Sequence, residues 1–405
     1  MKIAIVGCGV GGMAAAIALA RDGHAVSVFE RFAQPQPLGA GLLLQPSGLE
    51  ALQALGLREA VEAKGARVHA LRGEKPSGAR VLDITYAHWR PGAYGLGVHR
   101  ASLFDALYRT LGETDAALHA GVEMVSVENP ATPMLFDAQG RAYGPFDLAI
   151  AADGAASSLR AAIAPYARAP VYPWGAIWTI RPDTEDRWDG VLAQRYASAA
   201  VMIGVLPVGA APGAAGKHVA VFWSLREDRY EAWRAAGAEA WRGEVARHWP
   251  EAARLLEGPL DFAALPFARY RDVRAWPWGH GRTLLIGDAA HATSPQLGQG
   301  ANLALADAVA LAAALRGRGG LQVYRSARFA KTAWVQFMSA ALTPLFQSRS
   351  RLLGWARDLA MPLARRLWPF NRLILATLTG AGAFPWRTPL WRSSAAPPTP
   401  PDQRP

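Results

Sequence analysis

Cysteine is nearly absent: Cys8 is the single one in 405 residues. That excludes a disulfide scaffold and any cysteine-cluster metal site, and no metal is expected. The count fits a reducing, cytoplasmic setting. Lysine is scarce too, with five residues (Lys2, Lys64, Lys75, Lys217, Lys331) against 38 arginines. Acidic residues are outnumbered 32 to 43, which leaves a formal net charge of +11. Basic runs on one element, the mark of a nucleic-acid binder, are missing, so no nucleic-acid partner is expected. The charge instead favours anionic cofactors or anionic lipid heads. No long apolar run suits a membrane span: residues 196–216 carry no charge but are broken by Pro207, Pro212 and several glycines. Disorder is excluded by a 51% hydrophobic content and 15 tryptophans.

The uncharged segment 3–20 imitates a secretory signal, but four glycines within 7–12 make a poor apolar core for one. They suit a strand, Lys2 to Val6, then a tight turn, then a helix from about Gly11 to Asp22. A second strand follows from Ala25 to Glu30. Gly7-Cys8-Gly9-Val10-Gly11-Gly12 then reads as a dinucleotide turn. Gly7 makes the bend, Gly9 lets backbone approach a pyrophosphate, and Gly12 lets helix pack on strand. The helix start offers free N–H groups to phosphate. Glu30 can accept from both ribose hydroxyls and would repel a 2′-phosphate, so the turn wants the adenosine of FAD or NAD. Cys8 is expected to be a packing residue.

Further along, Gly39 to Pro46 reads as a loop or short strand, and Pro46 to Leu55 as a helix. Residues 67–86 alternate like sheet around a turn at 75–78. A helix is expected from Ser102, as N-cap, to Gly112. Strands are expected near 122–128, 133–143 and 148–152. From about 168 the texture changes, since Trp89 is the only tryptophan before that point. Segments 171–181, 191–208 and 218–225 read as long antiparallel strands, followed by a polar helix or helix pair over about 226–256 and a strand near 262–270. Then Thr283 to Asp288 reads as strand, 300–316 as helix, and 321–379 mostly as helix with a break at Trp368-Pro369.

Two more motifs follow buried strands: Ala152-Asp153-Gly154 through Arg160, and Gly287-Asp288-Ala289-Ala290-His291 leading to Pro295-Gln296-Leu297-Gly298-Gln299-Gly300-Ala301-Asn302. With the Gly7–Gly12 turn, in this order and spacing, they resemble the single-component (class A) FAD-dependent monooxygenases of the para-hydroxybenzoate hydroxylase fold, over about residues 1–335. Physical chemistry agrees. Asp288 at a strand end can accept from a ribityl hydroxyl. The Pro295–Asn302 loop precedes a helix whose N–H groups can stabilise negative charge on a reduced flavin. The resemblance places Pro295 on the oxygen side of the flavin, Gly298, Gly300, Ala301 and Asn302 along its ring, and Arg100 on the pyrophosphate. It places Arg31 on the adenine and ribose side, and Asp153-Gly154 with Arg160 near both FAD and NAD(P)H. His291 is expected to support the site rather than react. Pro46-Ser47 departs from the Pro-Asn of many relatives.

The resemblance implies an α/β fold: a discontinuous Rossmann-like FAD-binding domain (1–70, 96–167, 276–335), an inserted antiparallel β-sheet substrate domain (71–95, 168–275), a C-terminal helical region (336–392) and a disordered tail (393–405). It implies hydroxylation of an aromatic or lipophilic small molecule, using O2 and NADPH or NADH as a transient co-substrate, through a flavin C4a-hydroperoxide. No second dinucleotide turn exists, so NADH and NADPH stay open. A reductase or dehydrogenase acting on a prenyl or polyene chain, and a flavin-binding sensor without turnover, stay open as alternatives. In the substrate sheet Gln194 and Tyr196 share one face, Arg195 the other, and Trp223 lies on a neighbouring strand. Gln194, Tyr196 and Trp223 are the candidate substrate residues. Residues 345–375 carry six arginines between leucines and tryptophan. This stretch is expected to pack on the flavin domain with its arginines outward rather than to rest on a membrane.

Overall fold

The Leu148–Ala151, Lys2–Val6, Ala25–Glu30, Thr283–Leu285 and Ala117–Ala120 strands read as near-continuous apolar runs because helices and a small sheet cover both faces. In space they form one parallel sheet in the order Thr283–Leu285, Leu148–Ala151, Lys2–Val6, Ala25–Glu30, Ala117–Ala120. Helices Val10–Arg21 and Gly300–Arg316 pack together beside it. On the Phe29 side lies a three-stranded antiparallel sheet, where Phe29 meets Tyr143 and Phe146 edge to face at 5.2 and 6.2 Å. The computed structural model describes residues 1–36, 41–213, 215–317 and 319–382, without the side chains of 365, 366 and 368. Gly39-Ala40 of the expected loop and the tail 393–405 lie outside the described residues.

A second, seven-stranded sheet runs Phe267–Arg271, Val171–Pro182, His218–Arg226, Met202–Gly209, Val191–Tyr196, Ala70–Glu74, Arg80–Thr85. All neighbours are antiparallel except Val191–Tyr196 with Ala70–Glu74. One face is sealed by helices Tyr230–His248 and Pro250–Arg254 over a core rich in tryptophan: Trp188, Trp223, Trp233, Trp241 and Trp249. The other face looks toward the flavin-type loops. A small sheet of Gly41–Leu44, Gly95–His99 and Ala66–Val68 joins the two halves. The join is close because Gly97 has no side chain: a Cβ there would sit 1.9 Å from the Pro207 carbonyl oxygen.

Local expectations are corrected at four places. The expected strand 191–208 is two strands, because Ser198 Oγ accepts from Ala200 N at 2.9 Å and turns the chain into a hairpin. The helix expected at Ser102 begins at Arg100, and its N-cap is His99, whose Nδ1 accepts from Ala101 N at 3.1 Å. The C-terminal helices, Gly320–Phe346, Arg351–Arg366 and Trp368–Thr379, break at 347–350 as well as before Trp368. Helix Arg351–Arg366 packs on strand Arg80–Thr85 and the other C-terminal helices rather than on the flavin domain, and while Arg349 and Arg351 point outward as expected, the middle of the helix does not follow the expectation. Arg357 is buried while Leu352, Trp355, Leu359 and Leu363 are exposed. Arg357 can enter because it stacks on Tyr196 and Phe346 (4.9 and 5.5 Å) and donates to Asp358 and the Ser198 and Leu345 carbonyls.

Candidate functional site

The Gly7–Gly12 turn leaves the end of the Lys2–Val6 strand with Gly7 at φ +105, which favours glycine. Gly12 must also be glycine, since a Cβ there would lie 1.9 Å from the Gly7 carbonyl oxygen. Gly9 differs. Its backbone is extended, and a Cβ would meet nothing within 4 Å, so it borders an open cradle at the helix start. The first turn of Val10–Arg21 carries no acid and no side-chain cap, which leaves its N–H groups for an anion. Glu30 braces the turn: Oε2 accepts from Cys8 N at 2.8 Å and Oε1 from Phe32 N at 3.0 Å. Burial, helped by the Glu30 charge, pushes the Cys8 thiol up to about 12, so it packs rather than reacts. Arg31 is exposed and lies over the Phe32 ring at 4.7 Å.

The second loop places Asp153 with Oδ2 accepting from Ser158 N at 3.0 Å and Oδ1 buried without a partner. Burial pushes this carboxyl up from the usual range, against its hydrogen bonds. Arg160 is buried and spends its fork on three carbonyls, Ala289 at 2.8 Å, Ala155 at 2.8 Å and Gly154 at 3.1 Å. It acts as a strut between this loop and the third one.

The third loop rests on Asp307. Its carboxylate accepts from Gly287 N (2.9 Å), His291 Nε2 (2.6 Å) and Arg328 Nε (2.7 Å). Burial alone would raise the Asp307 carboxyl, but the charges and hydrogen bonds of His291 and Arg328 outweigh it and hold the group well below the usual carboxylate range. His291 is thus a supporting residue. The sign follows: a depressed carboxyl stabilises the fold fully above its unfolded pKa, about 3.9, and loses that stabilisation as pH falls through the window below. We predict that stability falls steeply as the pH drops below about 4, and that Asp307→Asn flattens this part of the curve. Chemical denaturation at a series of pH values checks it. An unchanged slope in the variant would refute the assignment.

Asp288 is exposed at the loop end, beside Gly300, where an added Cβ would meet its Oδ1 at an ordinary contact distance of 3.5 Å. Pro295 opens a short 3-10 turn closed by Gly298 at φ +59. Gly300 and Ala301 begin the next helix, again with no side-chain cap and no first-turn acid. Asn302 is different from its neighbours. It is buried and fully engaged, with Oδ1 accepting from Gln45 N and Nδ2 donating to the Leu43 and Gly298 carbonyls. It clamps the loop to the strand before Gln45. Arg100, exposed at its helix start, makes no ion pair among the described residues.

Arg100, Asp288, Pro295, Gly298, Gly300 and Ala301 line one cavity of about 340 Å³ whose far wall is the seven-stranded sheet. Gln194 and Tyr196 are on that wall, with the Tyr196 hydroxyl donating to Gln194 Oε1 at 2.6 Å. Trp223 is not. It is buried in the tryptophan core on the opposite face, because its strand alternates and the neighbouring Phe222, opposite Trp178, takes the cavity side. Sequence reasoning missed Trp178, Phe222 and Tyr270, which line the cavity. It gave no site role to three glutamines there. Gln45, Gln296 and Gln347 each leave a buried amide nitrogen without a partner. Only the alternation of the 171–182 and 218–226 strands could have signalled the first two, and it does not say which face is inward.

The residues present fit FAD. The open cradle at Gly9, the unpaired Arg100, the orphaned Asp153 oxygen and the uncapped start of Gly300–Arg316 are what a dinucleotide with a polar ring would use. Comparisons agree. Residues 1–332 match the family described as FAD binding domain. The chain is 28% identical over 335 residues to aurachin C monooxygenase/isomerase of Stigmatella aurantiaca, covering 78% of this chain and 80% of that one. It is 29% identical over 375 residues to 3-amino-4-hydroxybenzoate 2-monooxygenase of Streptomyces cremeus, covering 85% and 88%. Its fold matches Klebsiella pneumoniae HpxO complexed with FAD and uric acid, with a TM-score of 0.77 at 20% identity, covering 94% and 97%.

Proposed function

The chain belongs to the FAD binding domain family, and from that membership we infer that it is an FAD-dependent monooxygenase, an oxidoreductase that uses NAD(P)H and O2 to hydroxylate an aromatic or lipophilic small molecule. The observation that carries this reading is a cavity bounded by the cofactor loops at one end and an aromatic sheet wall at the other. FAD, when bound, supplies electron transfer from the nicotinamide and delivery of one oxygen atom to the substrate. The chain's own residues do the rest. The Gly7–Gly12 turn and Arg100 hold the pyrophosphate, with Glu30 and Arg31 at the adenosine. Asp153 and Asp288 accept from hydroxyls or amides of the cofactor. Backbone N–H groups at Gly300 and Ala301 face the end where negative charge develops, with no reorganisation needed. Trp178, Phe222 and Leu206 keep water from the reacting end.

The substrate of this reading is an uncharged aromatic with hydrogen-bond acceptors. Arg100, at the cofactor end, is the one cation among the described lining residues, so nothing inside offers to pair a carboxylate. The unpartnered amides of Gln296 and Gln347 call for acceptor oxygens, on the cofactor ring or on the substrate. A panel of phenols and quinolone-like compounds tests this. Neutral members should stimulate NAD(P)H consumption about ten-fold more than their carboxylated analogues, since burying an unpaired charge is costly. A preference for the carboxylates would refute it.

The two faces of the sheet give a sharper check. Phe222→Ala should raise KM about ten- to thirty-fold, the loss of one buried aromatic contact of about 1.5–2 kcal/mol. Trp223→Phe should leave KM within about two-fold and lower stability instead, because it acts only on the core behind the wall. Equal KM effects would contradict the assignment of faces.

A further inference from the structure

We propose that helix Arg351–Arg366 is a docking surface for an anionic lipid leaflet, placed beside the substrate cavity. The helix has two unlike faces. Its inner face is built into the site: Met361 lines the cavity, and Arg357 lies over the Tyr196 ring at 4.9 Å. Its outer face carries Leu352, Trp355, Leu359 and Leu363, exposed at 70%, 62%, 59% and 59%. Steps of three and four residues set these four on one stripe. Leu367 and Phe370 continue it onto the next helix, exposed at 49% and 51%. A contiguous exposed stripe of this length marks an interaction surface.

Charge chooses the partner. Between residues 345 and 375 there are six arginines, one of them the buried Arg357, and one acid, Asp358. That acid faces the body, paired with Arg357 at 2.7 Å and Lys75 at 3.1 Å. Arg349 and Arg351 are exposed at the start of the stripe. Two copies of the chain meeting through this face would bring like charges together, whereas an anionic leaflet is attracted by the arginines while it receives the leucines and Trp355. Tryptophan suits that boundary. No helix among the described residues is long and apolar enough to cross a membrane, so the contact is peripheral. The helix is then the partition between leaflet and cavity, about 10 Å across. The inference stands apart from the reaction assigned above.

Flotation of the FAD-loaded enzyme tests it. The protein should float with phosphatidylglycerol-containing vesicles, not with pure phosphatidylcholine, and less as salt rises. Trp355→Ser, Leu359→Ser and Leu363→Ser together should lower the bound fraction by about ten-fold or more. Arg351→Glu, a charge reversal on an exposed residue, should do the same by about ten-fold on anionic vesicles. Both variants should keep bound FAD. If the triple variant loses it, Arg351→Glu alone decides. Failure of the wild type to float at low salt would overturn the proposal. So would equal flotation on both lipids, or a self-associating protein that the stripe substitutions make monomeric and that ignores vesicles.

Discussion

Replacing Asp307 with alanine is expected to destabilise the protein by about 3–5 kcal/mol, the cost of leaving a buried charge without its partner. Arg328 is 5% exposed and would keep only the Leu303 carbonyl at 3.2 Å. Gly287 N and His291 Nε2 would lose their acceptor as well. For a chain of this size, unfolding as one unit, that corresponds to about 4–6 °C in Tm. Loss of the Asp307 support should also loosen the loop that presents Asp288, so FAD affinity falls with stability. Two variants separate charge from packing. Asp307→Asn keeps the shape and loses the charge, and it should still be clearly destabilised. The double change Asp307→Leu with Arg328→Met removes both buried charges, and it should be less destabilised than Asp307→Ala alone. Near-wild-type Asn, or additive effects in the double variant, would show that the network does not stabilise the fold as described. Calorimetry with denaturant titration of all three measures it.

Gly9→Val is expected to give a folded protein that has lost its cofactor. The backbone at Gly9 has φ −83, which any residue adopts, and its Cβ direction is open. The apo fold therefore has no reason to object. The open space is where a pyrophosphate would have to approach the helix start, and a branched side chain would fill it. FAD affinity should drop at least about 100-fold, near 3 kcal/mol, with Tm of the apo protein changed by less than a few degrees. Gly12→Ala should behave in the opposite way. Its Cβ would strike the Gly7 carbonyl at 1.9 Å, so the fold itself must shift. Fluorescence titration with FAD and melting of the apo form measure both. Retained affinity in Gly9→Val would remove the pyrophosphate from this turn.

Four of the five strands of the parallel sheet were legible because their signals are local, while Ala117–Ala120 was not read as a strand. Strands Lys2–Val6 and Ala25–Glu30 and helix Gly300–Arg316 have the expected bounds, set by short apolar runs and, after Val6 and Arg316, by glycine. What sequence reasoning missed was direction. Alternation shows that Phe222 and Trp223 lie on opposite faces, but only the packing of Trp233, Trp241 and Trp249 behind the sheet decides which face is core. Likewise the spacing of Leu352, Trp355, Leu359 and Leu363 shows an amphipathic helix. It does not show that stacking on Tyr196 and Phe346 would draw Arg357 inward and leave the leucines outside. Asn302 and Arg160 stand in motifs with cofactor associations, yet their donors go to carbonyls of Leu43, Gly298, Ala289 and two residues near Arg160. The partners of Asn302 at Leu43 and Gln45 are more than 250 residues away in sequence, beyond any local pattern.

The central claim is that one atom of O2 reaches a molecule held between the cofactor loops and the Trp178–Phe222 wall. Turnover under ¹⁸O2, with NADH or NADPH and the neutral aromatic that most stimulates nicotinamide oxidation, tests it most directly. The account predicts one ¹⁸O atom in each product molecule, with FAD required and Phe222→Ala raising the substrate concentration needed. A product free of label would contradict it and point to reduction or dehydrogenation on the same fold. Bound FAD that no nicotinamide reduces, with any member of the panel, would contradict it as well and leave a flavin-binding protein without turnover.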